Sequence, residues 1–193
     1  MSYQNKIYCL VGPSGAGKDT IKNELTIPHI VSYRTRKKRL HEIEGLDGHF
    51  ISEGFYKVMD IDKMWIASTC YAGNYYGITQ AEIFPLNDTP LLYVVDWDGV
   101  VSLKEALNKI VGYSEDDVVS IFIDSDREEV YKRMVLQDRE SHEIAQRMQQ
   151  YDKDIQIKEK CDYQVMNVNG RLSDTAKKIY EIVLAEQGIT MEV

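Results

Sequence analysis

Apolar residues recur along this chain in two different rhythms, and the alternation between them sets the fold class. Short apolar runs rich in β-branched and aromatic residues at 7–11, 91–95, 118–123 and 163–168 predict strands. Stretches near 17–25, 99–111, 126–136, 141–160 and 173–187 instead carry the spacing of one-sided helices. Strands that alternate with helices predict a parallel sheet covered by helices, the α/β class. The last helix is the clearest. Ala176, Ile179, Tyr180, Val183 and Leu184 form one apolar stripe, Ser173 or Asp174 is placed to cap its start, and Gly188 is placed to end it.

Residues 32–85 break the rhythm. They are polar, rich in Gly and Tyr, and show short alternations such as His49-Phe50-Ile51-Ser52, which predict an inserted αβ piece with small strands. A chain of 193 residues holds one well-buried core, so the insertion is expected to be a substructure of the same domain. With 44% hydrophobic and 28% charged residues the composition is that of an ordinary soluble protein. No apolar run reaches bilayer length, and Met1 to Lys6 leads into the first strand without a signal pattern, so a cytoplasmic location is expected. Cys9, Cys70 and Cys161 are scattered and show no metal-ligand spacing; Cys9, within the first predicted strand, is expected in the core.

A formal net charge of −8 argues against nucleic acid or a membrane surface as a partner. One segment opposes that balance. Arg34, Arg36, Lys37, Lys38 and Arg39 fall within six residues, which makes either a solvated basic loop or a local anion site.

The densest chemistry lies at Gly12-Pro13-Ser14-Gly15-Ala16-Gly17-Lys18-Asp19-Thr20. A strand leads into this glycine-rich stretch and a helix follows, the context of a phosphate-binding loop. Glycines let backbone N–H groups converge on an anion, the helix N-terminus adds partial positive charge, and Lys18 reaches the β- and γ-phosphates of a nucleotide. The usual hydroxyl after the lysine is displaced: Asp19 stands there and Thr20 follows. Either Thr20 or a water held by Asp19 is then the Mg²⁺ ligand.

Further motifs continue in order: SYRTRKKR at 32–39, GLDGHF at 45–50, GNYYG at 73–77, VVDWDG at 94–99, and the IFID strand followed by Arg133 and Arg147. With GPSGAGK at 12–18, this series resembles the guanylate kinase family of nucleoside monophosphate kinases over nearly the whole chain. The resemblance implies a P-loop three-layer αβα core (1–31, 86–135 and 149–193), a monophosphate-binding insertion (32–85) and a short lid (about 136–148). It implies transfer of the γ-phosphoryl group of ATP, with Mg²⁺, to GMP or dGMP. Lys18, Arg36, Arg133, Arg139 and Arg147 would be the catalytic cations. Residues 12–20 and Asn167 would hold ATP. Ser32, Arg36, Arg39, Tyr76 and Asp96 would hold the acceptor, and Arg139 would stand in for a lid arginine whose aligned place is Gln137. Arg34, Lys37 and Lys38 match no family contact, which leaves a plain exposed position open for each.

Three departures fall on the acceptor side. Gly48 stands where the family usually has a phosphate-binding Tyr, Ala67 where it has a Glu that reads the guanine edge, and Ile78 where it has a Ser or Thr. They predict weakened guanine selectivity, with Ile78 as an apolar wall against the base. Two other enzyme readings remain: the same reaction on a different or broader monophosphate, and a P-loop kinase of a non-nucleotide small molecule. A further reading is a non-catalytic module that binds a phosphorylated peptide through its arginines; the complete loop with Lys18 speaks against it.

Overall fold

The computed structural model describes residues 5–137 and 139–189. In chain order its elements are β1 (Ile7–Val11), α1 (Lys18–Glu24), β2 (Tyr33–Arg34), β3 (His49–Phe50), α2 (Glu53–Ile61), β4 (Ala67–Tyr71) and β5 (Asn74–Ile78). There follow α3 (Gln80–Ile83), β6 (Leu91–Val94), α4 (Trp97–Leu107), β7 (Val118–Asp124), α5 (Arg127–Leu136), α6 (Ser141–Ile155), β8 (Tyr163–Met166) and α7 (Leu172–Glu186).

The core sheet runs β6-β1-β7-β8 with every pair parallel. Each residue of β1 is buried because both faces of the sheet are covered. Ile7, Cys9 and Val11 pack with Val100, Leu103 and Leu107 of α4 on one side. Tyr8 and Leu10 pack with Ile21 of α1 and Ile179 and Val183 of α7 on the other. The expected three-layer α/β core is therefore present, with Cys9 fully buried in it.

The predicted elements are all found, with shifted ends. α4 starts at Trp97, where the Asp96 side chain accepts the Gly99 N–H at 2.8 Å, and stops at Leu107 instead of 111. α6 ends at Ile155, and Lys158–Lys160 forms a separate 3₁₀ turn. Neither Ser173 nor Asp174 caps α7. The helix begins earlier, after Arg171, because Leu172 packs against the core cluster and draws the first turn inward. Gly188 does end it, in the left-handed conformation (φ 68°) with its N–H on the Ala185 carbonyl.

A second sheet, β3-β2-β5-β4, is built by the segment between α1 and β6. β2 and β3 are parallel, while β5 runs antiparallel to both β2 and β4. The β4–β5 turn places Ala72 (φ 48°) and Gly73 (φ 74°) at its two central positions, the left-handed pair that a two-residue hairpin requires. The segment leaves and rejoins the core at one place. Ile30 N–H donates to Leu92 O and Leu92 N–H donates to Pro28 O, both at 2.8 Å, so entry and exit are stapled beside β6.

Candidate active site

β1 delivers the chain into the loop at 12–17, and α1 starts at its far end. Gly12 sits at φ 137°, and a Cβ there would lie 2.5 Å from the Ile123 carbonyl oxygen. Gly17 sits at φ 94°, and its Cβ would lie 2.5 Å from Asn167 Nδ2. Both conformation and crowding thus demand glycine. α1 has no side-chain cap at Gly17, which leaves its first N–H groups for an anion.

Lys18 Nζ donates to the carbonyls of Gly12 (2.5 Å) and Pro13 (2.8 Å). Burial pushes its pKa down to about 8; Arg147 and Arg139 push the same way, against the pull of Asp19 and Asp154. An anion in the loop reverses that balance and holds the lysine charged.

Three stretches of chain bring cations to the rim of this loop. Arg139, just before α6, and Arg147, in the body of α6, both donate to Ser14 Oγ, at 3.0 and 3.1 Å. Glu143, one helical turn from each, approaches them at 3.6 and 2.9 Å and is held below the usual carboxylate range by these arginines despite burial. From β2 and the stretch that follows it come Arg34, Arg36 and Arg39, gathered on one carboxylate, Glu42. Arg36 forks onto both oxygens of Glu42, and Arg39 N–H donates to it at 2.8 Å. Burial would raise the Glu42 pKa, but the Arg36 and Arg39 contacts outweigh it and bring it to about 2.

One cleft joins the two groups. Gly12, Ser14, Gly15, Gly17, Lys18, Asp19, Thr20, Ser32, Arg36, Arg39, Tyr76, Asp96, Arg139 and Arg147 all line it. Pro13, Ala16, Arg133 and Asn167 do not, and the last two instead bond the loop backbone. Arg133 donates to the carbonyls of Gly15 and Ala16 (3.4 and 3.3 Å) and to Ser125 Oγ (3.2 Å). Asn167 donates to Ala16 O at 2.7 Å and accepts from Thr175 Oγ1 at 3.3 Å. The expected lid, 136–148, takes in the end of α5 and the first half of α6, with Asp138 between them outside the described residues. Between the two helices Gln137 accepts two hydrogen bonds from Arg139.

The acceptor side departs from expectation at three places. Arg34 is not an exposed residue: its side chain is 13% exposed and lines the cleft. Ile78 is no wall of the cleft; it is fully buried beside Ala67 in the core, and the two are paired across β4 and β5. The space over Gly48 is taken by Arg34, whose Nε would lie 2.4 Å from a Cβ at that position.

Residues that sequence reasoning missed include Thr69, Tyr71 and Asp154, all in the cleft lining. Thr69 and Tyr71 share a face of β4 by the two-residue period, a signal the sequence does carry. Thr69 Oγ1 donates to Asp96 at 3.1 Å, and Tyr71 donates to Asp154 at 2.8 Å. Burial raises the pKa of both Asp96 and Asp154.

This geometry has counterparts among known proteins. A family model described as "Guanylate kinase" matches residues 4–186. The chain belongs to the guanylate kinase family. It is 30% identical over 198 residues to a guanylate kinase of Rickettsia prowazekii, covering 97% of this chain and 95% of that protein. A guanylate kinase of Mycoplasma mobile is 30% identical over 177 residues, with 86% of each chain covered. The crystal structure of guanylate kinase from Anaplasma phagocytophilum superposes with a TM-score of 0.74 at 26% identity, over 99% of this chain and 89% of that one. The expected enzyme class, an ATP-dependent nucleoside monophosphate kinase of guanylate kinase type, agrees with that membership. Among the described residues no helix is long and apolar enough to cross a membrane.

Proposed function

We propose that this protein transfers the γ-phosphoryl group of ATP to GMP or dGMP. The observation that carries the reading is the meeting of two anion sites in one cleft: a backbone loop with Lys18 on one side, and arginines of β2 and the stretch after it on the other. Phosphoryl transfer asks a protein mainly to hold two nucleotides in line and to neutralise the charge between them. The loop N–H groups and Lys18 hold the donor phosphates. Arg36, Arg39 and Tyr76 hold the acceptor phosphate, while Arg139 and Arg147, already docked on Ser14, face the group in transit. Arg133 and Asn167 brace the loop from its outer flank, beside the donor nucleotide.

Mg²⁺ fits the donors present: Asp19 and Thr20 offer a carboxylate and a hydroxyl in the first turn of α1, and such an ion takes its remaining ligands from phosphates and water. When bound it draws charge from the phosphate oxygens. Ser32, Thr69 and Asp96 supply the polar groups for the base. Among the described residues each Asp96 oxygen has one partner, Gly99 N–H or Thr69, and keeps capacity to accept the N–H edge of guanine.

A coupled ADP-release assay with GMP, dGMP, AMP, CMP and dTMP tests the reading. Highest kcat/KM with GMP or dGMP is the expected result. A higher value with a pyrimidine monophosphate would reassign the acceptor, and no turnover with any of them would leave a binding module.

A further inference from the structure

We infer that Arg34 is a third guanidinium of the acceptor-phosphate site, and that Gly48 is the residue that makes room for it. The inference rests on the monophosphate-kinase reading above and adds a binding residue to it.

Arg34 is buried yet poorly satisfied. Among the described residues its guanidinium makes one hydrogen bond, to Ser32 Oγ at 3.0 Å, and its Nε is buried without a partner. Its approach to Glu42, 4.0 Å, is at the limit of an ion pair. Arg34 and Arg36 also share one aromatic ring, with guanidinium carbons 5.7 and 5.3 Å from the centre of Phe50. Two like charges are thus held close in a desolvated place. Burial and the neighbouring Arg36 accordingly push the Arg34 pKa down. An arginine does not escape such a position by losing its proton. It is relieved by an anion.

The charge balance calls for an anion. Arg34, Arg36 and Arg39 all face Glu42, and Arg39 also reaches Glu143 at 3.9 Å, the carboxylate that Arg139 and Arg147 share, so five positive charges stand against two negative ones. This surplus of positive charge suits the dianion of a phosphate monoester near neutral pH. Position adds to charge: Arg34 lies opposite Tyr76 in the β2–β5 register, and both line the cleft.

Gly48 is the other half of the arrangement. Its φ is not in the left-handed region, so the backbone does not require glycine there. The requirement is space. A Cβ would lie 2.4 Å from Arg34 Nε and 2.8 Å from Cζ.

The test measures binding of GMP and of guanosine to wild type, Arg34→Met, Arg34→Lys and Gly48→Ala by calorimetry, with circular dichroism as a check on folding. Arg34→Met is expected to weaken GMP about tenfold or more while guanosine changes by less than about twofold. Arg34→Lys should fall between, since a point charge replaces a fork. Gly48→Ala should weaken GMP in the same direction with the fold intact. Equal loss for GMP and guanosine would make Arg34 a base contact and overturn the inference, as would unchanged GMP affinity in folded Arg34→Met. If wild type fails to phosphorylate GMP, the functional reading fails separately. The same comparison, run with whichever monophosphate binds and its nucleoside, still decides the role of Arg34.

Discussion

The two halves of the cleft bind phosphate by opposite means. At 12–18 the anion site is backbone: glycines in left-handed conformations, N–H groups at a helix start, and one lysine folded onto two carbonyls. Across the cleft it is side chain, long guanidinium groups held in place by Glu42 and Glu143. A backbone site is fixed by the path of the chain and tolerates little change. A side-chain site is fixed by charge balance and can be rebuilt residue by residue, and the departures at Gly48, Ala67 and Ile78 all fall on that side.

The sharpest way to break the contrast is Lys18→Ala, which removes the lysine folded onto the loop carbonyls. We expect kcat to fall by about 10³-fold or more, read by ADP release. A second effect has the opposite sign. Lys18 has a folded pKa of about 8 against an ordinary 10.5, so the unfolded chain binds more protons between those values. Below pH 8 the folded state bears the full cost of the buried charge. Lys18→Met should therefore raise the Tm of the ligand-free protein at pH 7, by about 2–8 °C, and the gain should shrink as pH rises toward 10.5.

Arg36→Ala tests whether the halves are separable. The acceptor KM should rise about 10–100-fold and the ATP KM less than about threefold; equal effects on both would remove Arg36 from the acceptor site. Asp96→Asn keeps a capping oxygen for α4 but loses the charge. It should lower kcat/KM for GMP about tenfold with a smaller change for AMP.

Glu42→Gln leaves three guanidinium groups without their carboxylate. Glu42 has a folded pKa of about 2 against 4.5, so the stability it contributes is complete above pH 4.5 and is lost as pH falls through 2. The variant should melt about 3–10 °C lower at pH 7, and the gap to wild type should close across that acid range. Inorganic phosphate should restore part of the loss at pH 7, as an anion that takes the place of the carboxylate.

The same contrast explains what could be read from the chain. The loop is legible because Gly12, Gly15, Gly17 and Lys18 are contiguous and each answers a local demand. The core strands are legible because burial on both faces leaves β1 without a charged residue. The side-chain half depends on pairings far apart in sequence: Tyr71 meets Asp154 across 83 positions, and Arg139 meets Ser14 across 125. Ile78 was assigned to the cleft from its place after GNYYG, but the hydrophobic core claims that end of β5. Arg34 matches no family contact, so the sequence does not place it in the cleft; what makes room for it is an empty position at Gly48, and a missing side chain carries no signal of its own.

The hydrogen bonds that join Pro28 and Ile30 to Leu92 bear on how such an enzyme can change over time. A segment whose two ends meet on one residue of the core is topologically a cassette. Its sequence can drift, or be exchanged whole in the laboratory, without altering the register of the strands that carry the loop. Variation in the acceptor pocket is thereby insulated from the machinery that handles ATP, and a lineage can explore new acceptors while its donor chemistry stays intact.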